Sequence, residues 1–222
     1  MAKSSTKAAI LLNISNPIVV KMCRLRSLLL LSVLLVSACA TSPPSRFDNA
    51  CGILEPRRKW YRAMRKAEKR WGLPISVQLA IIRQESGFDA KAKQPRKRIL
   101  WILPGPRKSS AYGYAQALKS TWKWYQTSSG NPGADRDDFA DAADFISWYG
   151  RQSRIKSGIS LGDAYHQYLA YHEGQGGFNR GTYKKKKGLQ NIAARVAKHA
   201  RVYDAQLKAC EKQLKRRRFL FF

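Results

Sequence analysis

Acidic residues are scarce in this chain. Its 222 residues hold 42 Lys and Arg against 14 Asp and Glu, a formal net charge of +28. Such a balance favours a polyanion or an anionic surface as neighbour. Only five of the acids are glutamates: Glu55, Glu68, Glu85, Glu173 and Glu211. Potential metal ligands are scarce as well. The three histidines, His166, His172 and His199, and the four cysteines show no ligand spacing, so no metal is expected. Segments that alternate with period two are few, which argues against a sheet protein and for a predominantly α domain. The apolar run Leu28 to Val36 is too short to span a bilayer comfortably.

That run has a different meaning. Lys21, Arg24 and Arg26 precede it, and Val36-Ser37-Ala38-Cys39 ends it. A positive region, a short apolar core and small residues before the cut describe a secretory signal over residues 1–38. A Cys directly after small residues resembles the bacterial lipobox, in which that Cys is acylated and becomes the new N-terminus. Cys39 is then a membrane anchor. Ala40 behind it, by resemblance to sorting rules in enteric-type bacteria, directs the chain to the periplasmic face of the outer membrane. Either Met1 or Met22 serves as the start. The mature chain would run from Cys39 to Phe222 with 37 basic and 14 acidic residues, or +23. In that compartment an anionic cell wall or anionic lipid is a better partner than nucleic acid. Cys51 and Cys210 remain, one near each end of the domain, and are expected to pair where conditions are oxidising.

The mature chain reads as a tether over 39–50, one domain over 51–212 and a basic, then aromatic tail over 213–222. Helices are expected over about Glu55 to Trp71, Pro74 to Glu85, Lys119 to Ser128, Asp135 to Lys156, Leu161 to His172 and Gly188 to Lys212. Lys91 to Ser110 is a long basic loop, with Ile99 to Leu103 as a short strand or flap, and a loop of this length is usually functional or mobile. Gly174 to Lys187 reads as a Gly- and Lys-rich loop.

Glu85 stands out among the glutamates because it alone continues a long apolar stripe. Ile82 and Ile81 lie three and four residues before it, Gln78 and Val77 seven and eight before. A carboxyl on such a face loses hydration, which raises its pKa and keeps it protonated nearer neutrality, as a general acid requires. The plain alternative is a surface Glu paired with Arg83 or Lys91. Two further segments point to a sugar cleft. Ser109-Ser110-Ala111-Tyr112-Gly113-Tyr114-Ala115-Gln116 and Leu169-Ala170-Tyr171-His172-Glu173-Gly174 combine glycines, flat aromatic rings and a Gln that both donates and accepts.

With those segments in order, the chain resembles the lysozyme-like lytic transglycosylases of the soluble murein transglycosylase type. These carry a Glu-Ser pair at a helix end, then Gly-Leu-Met-Gln, then Ala-Tyr-Asn-X-Gly. Here the series is Glu85-Ser86, Gly113-Tyr114-Ala115-Gln116 and Ala170-Tyr171-His172-Glu173-Gly174. The likeness covers about Leu73 to Tyr203. Tyr114-Ala115 replaces Leu-Met, and His172 replaces Asn.

The resemblance implies a single lysozyme-like domain and cleavage of the bond between MurNAc and GlcNAc in peptidoglycan glycan strands. It implies Glu85 as catalytic acid and then base, with 1,6-anhydro-MurNAc as product and no cofactor. Ser110, or else Ser109, would position the N-acetyl or C6-hydroxyl group. Gln116 and Tyr114 would line the central subsites, Tyr171 would stand beside the Glu85 carboxyl, and Tyr203 would match a late family Tyr. Glu173 reads as surface-facing. The rival readings are a hydrolytic lysozyme with Asp89 as second carboxylate, and a non-catalytic peptidoglycan-binding lipoprotein.

Overall fold

The computed structural model describes residues 43–99 and 103–216. The signal segment, the Cys39 anchor and residues 217–222 of the tail lie outside the described residues. Among those described, no helix is long and apolar enough to cross a membrane.

Among the described residues seven α-helices carry the domain: α1 (Ala50–Leu54), α2 (Arg58–Trp71), α3 (Ile75–Ser86), α4 (Lys119–Ser129), α5 (Phe139–Ser157), α6 (Ala164–Asn179) and α7 (Lys187–Lys215). A two-stranded antiparallel hairpin, β1 (Arg96–Ile99) and β2 (Leu103–Arg107), stands between α3 and α4, with Arg96 opposite Arg107 and Ile99 opposite Leu103. The long basic loop of the sequence is thus folded back on itself.

Helix α3 is the central element. Every residue from Ile75 to Ile82 is buried, so its apolar stripe widens to all sides and only the last turn reaches the surface. The one polar residue inside this stretch apart from Ser76 is Gln78. It is fully enclosed; its side-chain NH2 donates to the carbonyls of Met64 and Leu73 at 3.2 and 2.8 Å, while its Oε1 is buried without a hydrogen-bond partner among the described residues. Glu68 at the end of α2 accepts from the backbone N–H of Ile75 at 3.3 Å and so serves the open start of α3. Helices α2 and α5 pack together, α7 covers α3, and α6 lies against both α5 and α7.

Aromatic rings fill the space between these layers. Trp60 stacks on Phe139 at 3.9 Å, and Tyr114 meets both rings edge-on at 5.8 and 5.2 Å. Asp144 gathers three donors, the Trp71 indole at 2.9 Å, the Tyr125 hydroxyl at 2.8 Å and Arg70 at 3.3 Å, which ties α2, α4 and α5 together. At the chain ends, Cys51 of α1 and Cys210 of α7 form a disulfide.

Three boundaries depart from the sequence pattern. The first long helix starts at Arg58 rather than Glu55, and a short helix α1 that was not expected precedes it, capped by Asn49, which accepts from Gly52 N–H. Helix α6 continues through the Gly-rich stretch to Asn179, kinked at Gly174, whose φ of 72° is left-handed. The glycines there pack tightly: a Cβ on Gly177 would lie 3.2 Å from that of Glu173. Helix α7 runs to Lys215 and buries Leu214, so the fold extends into the stretch expected as a tail.

Candidate active site

Beside the end of α3 lies a cleft of about 380 Å³. Glu85 lines it, together with Gln94 and Gln116 from the segment around the hairpin, Phe145 and Tyr149 of α5, and Tyr171, His172, Glu173 and Gly174 of α6. The three sequence motifs therefore converge on one space.

Local backbone geometry puts Glu85 at the rim. Gly87, with φ of 57°, ends α3 by donating its N–H to the Arg83 carbonyl at 3.1 Å. Phe88 follows with φ of 64°, and its ring is fully buried against Trp60 and Phe47. Among the described residues only Phe88 and Gln116 adopt a positive φ without being glycine; Gln116 lines the cleft, and Phe88 lies in the core three residues after Glu85. A bulky residue in this conformation is strained by about 1–3 kcal/mol and persists only where packing compensates. Here that packing fixes the turn which leaves the Glu85 carboxyl facing the cavity.

The Glu85 carboxyl is half-buried, open to the cleft on one side and enclosed by α5 and α6 residues elsewhere. Burial raises its pKa from 4.5 to about 7, opposed in part by a hydrogen bond from the Tyr168 hydroxyl. Arg83, an expected surface partner, turns away and donates to the Phe47 carbonyl at 2.5 Å and to the Tyr203 hydroxyl at 2.9 Å. Among the described residues Glu85 has no ion pair within 4.0 Å. A carboxyl so placed holds its proton close to neutrality and has a free face from which to give it up.

Gln116 stitches the opposite wall. Its side-chain amide donates to the carbonyls of Ala92 and Gly113, both at 2.9 Å, and its oxygen accepts from the Gln94 amide at 3.4 Å. Gly113 beneath it has φ of 76°, and a Cβ there would lie 2.0 Å from the Arg136 carbonyl oxygen. Only glycine fits this turn.

Other expected positions fall elsewhere. Tyr114 does not line the cleft: it is 2 % exposed and packs beneath the motif on Trp60 and Phe139, so the replacement of Leu serves the core. Tyr203 is fully buried on the far side of α3, where its hydroxyl donates to the Phe47 carbonyl and accepts from Arg83. Ser110 is exposed and accepts from the backbone N–H of Lys119 at 3.1 Å, which serves the start of α4, while its neighbour Ala111 touches the cavity. Tyr171 lines the cleft, but its hydroxyl donates to the Ala115 carbonyl at 2.5 Å and joins motif three to motif two. The hydroxyl that holds the Glu85 pKa down is that of Tyr168, one turn earlier on α6. Helical spacing from Tyr171 is the only sequence signal for it.

Glu173 is a further correction. Its side chain is 4 % exposed, with both oxygens bonded to the Lys186 ammonium at 2.8 and 2.9 Å and further bonds from Thr182 and from His172 Nδ1 at 3.1 Å. Burial raises its pKa, but the bonds from Lys186, Thr182 and His172 outweigh that and bring it down to about 2. The carboxylate is therefore ionised, and as a pure acceptor it fixes a proton on Nδ1 of the half-exposed His172. Asp89 is exposed and accepts from the backbone N–H of Lys91 at 2.8 Å in a turn outside the cleft.

A mainly helical domain with a desolvated Glu at the end of its central helix, facing a polar and aromatic cleft, defines the lysozyme-like class of glycan-acting proteins. The chain belongs to the transglycosylase SLT domain family, whose model matches residues 27–210. No curated protein matches it.

Proposed function

We propose that this protein is a peptidoglycan lytic transglycosylase that cleaves the MurNAc-β-1,4-GlcNAc bond and forms 1,6-anhydro-MurNAc. The observation that carries the reading is the Glu85 carboxyl, which stays protonated to about pH 7 on the wall of a cleft built by the family's three motifs. Ordinary glycosidases need a second carboxylate to act as nucleophile or to activate water. The other two acids near the Glu85 motifs are poorly suited to that role: Glu173 is saturated by Lys186, Thr182 and His172, and Asp89 is engaged in a turn. One carboxyl suffices if the nucleophile belongs to the substrate, because an intramolecular hydroxyl attacks at a high effective concentration.

In this scheme Glu85 donates its proton to the glycosidic oxygen as the C1–O bond breaks. The N-acetyl group of MurNAc helps carry the positive charge at C1. The Glu85 carboxylate, steadied by the Tyr168 hydroxyl, then takes the proton of the MurNAc C6 hydroxyl as that oxygen closes on C1. No water is consumed and Glu85 ends protonated. Tyr149 and Tyr171 give the cleft aromatic lining for the sugars, while Gln94 and Gln116 offer amide groups. The lipid anchor at Cys39 would hold the enzyme at the periplasmic face of the outer membrane, within reach of the wall.

Mass spectrometry of products from purified sacculi tests the reaction. Anhydro-muropeptides are expected from the wild type and none from Glu85→Gln. Products carrying one added water would make the protein a hydrolase, and equal activity in both forms would remove Glu85 from the chemistry. Fractionation of cells expressing Cys39→Ala tests the anchor, with loss from the membrane fraction expected.

A further inference from the structure

The residues just before α1 do not behave as a free linker. Within the stretch that the sequence reads as a tether, Pro44 is buried and Phe47 half-buried. Gln206 of α7 clasps the segment from both sides of one amide. Its Nε2 donates to the Asp48 carbonyl at 3.0 Å, and its Oε1 accepts from the backbone N–H of Ala50 at 2.8 Å. The Phe47 carbonyl accepts from the Arg83 guanidinium and from the Tyr203 hydroxyl. The disulfide between Cys51 and Cys210 then pins the following turn to α7.

This docking falls on the turn that carries Glu85. Phe47 sets its ring against Phe88 with centroids 5.7 Å apart, and a Cβ on Gly87 would lie 3.8 Å from the same ring. Gly87 and Phe88 are the left-handed residues that follow Glu85 by two and three positions. A bulky residue holds a positive φ only while its packing is complete. Trp60 of α2 covers Phe88 from within the core, and Phe47 covers it from the segment outside the helices. The backbone of the segment acts on the same turn. Arg83, whose guanidinium the Phe47 carbonyl holds, is the residue whose own carbonyl accepts from Gly87 N–H and closes α3. Phe47 itself does not line the cleft. Any effect it has on the reaction passes through the turn and not through contact with sugar.

We propose that Phe47 is a positioning residue for the reaction: docked ahead of α1, it holds the Gly87–Phe88 turn and thereby keeps the Glu85 carboxyl in place against the cleft. The inference rests on the transglycosylase reading and extends the machinery of that site to a segment expected to be a tether. A turn free to shift by about 1 Å misplaces the acid relative to the glycosidic oxygen, and displacements of that size cost up to about a hundredfold in rate. Substrate affinity is set by the cleft walls, which Phe47 does not touch, so the loss falls on kcat and not on KM.

The test compares Phe47→Ala with Leu214→Ala, which empties a buried site near the end of α7 and controls for lost stability. Both are measured on solubilised glycan strands well below their unfolding temperatures. Phe47→Ala is expected to lower kcat by about 10- to 100-fold with KM unchanged. Phe47→Tyr, which keeps the ring, should restore the rate, and Leu214→Ala should keep the wild-type kcat. Amide hydrogen exchange reads the turn without substrate. The N–H groups of Gly87, bonded to Arg83, and of Asp89, bonded to Ser86 at 3.1 Å, should lose protection in Phe47→Ala and keep it in Leu214→Ala. An unchanged kcat in Phe47→Ala, a rise in KM alone, an equal loss of kcat in both variants, or unaltered protection at Gly87 and Asp89 would each overturn the proposal. Where Phe47→Ala does not fold, Phe47→Leu carries the same comparison. If the wild type cleaves no strand, the transglycosylase reading fails separately, and the exchange comparison still decides whether Phe47 holds the turn.

Discussion

Replacing Glu85 by Gln should make the protein more stable in alkali while abolishing its reaction. The carboxyl ordinarily titrates at 4.5 and in the folded state at about 7. Between those values the folded protein keeps a proton that the unfolded chain has released, so stability falls as pH rises through that window. At about 1.4 kcal/mol per pH unit, the ionised carboxylate costs the fold about 3 kcal/mol above neutrality relative to acid solution. Glutamine has the same shape and never ionises, so the variant escapes that cost. The variant should gain on the wild type by about 3 kcal/mol between about pH 4 and about pH 8.5, or roughly 6–12 °C in Tm for a domain of this size. Glu173, with its pKa brought down to about 2, is the same in both proteins and cancels in the comparison. Urea unfolding followed by tryptophan fluorescence across this range measures the difference. A stability gap that does not change with pH would refute the claim that burial holds the Glu85 proton, whatever happens to activity.

The remaining predictions concern its surroundings. Tyr168→Phe removes the hydrogen bond that partly offsets desolvation, so the alkaline limb of the rate profile should move to higher pH, and an unmoved limb would exclude Tyr168 as a partner. Gly113→Ala places a methyl against the Arg136 carbonyl at a left-handed φ and should cost at least about 2 kcal/mol, read as a lower denaturant midpoint. Reduction of Cys51–Cys210 opens a loop closed over a sequence separation of 159, worth up to about 5 kcal/mol in the chain-entropy model. A Tm unchanged by reductant would show that bond to be dispensable.

The hydrophobic pattern of α3 and the Glu-Ser pair at its end were readable because a buried helix must declare itself in consecutive apolar residues. The hairpin was readable only as a basic loop with a short strand or flap over Ile99 to Leu103, since Arg, Lys and Pro at Arg96 to Arg107 carry no alternation that announces two strands. The aromatic positions were the least legible. Tyr114, Tyr168, Tyr171 and Tyr203 are alike in type, and a tyrosine suits a core as well as a sugar cleft. Packing separates them: Tyr114 and Tyr203 are enclosed, Tyr171 lines the cavity while bonding Ala115, and Tyr168 reaches Glu85 from behind. Glu173 misled for a similar reason, since its partners Thr182 and Lys186 come from the next turn of chain and no local spacing reveals them.

Sequence by itself determined the helical class, the three motifs in their order and the strong positive charge, all of which reside in residue type and local periodicity. Tertiary structure decided which groups meet. Desolvation and hydrogen bonding depend on neighbours distant along the chain. Only the packed arrangement of α3, α5 and α6 leaves Glu85 protonated and Glu173 ionised on the walls of the same cleft.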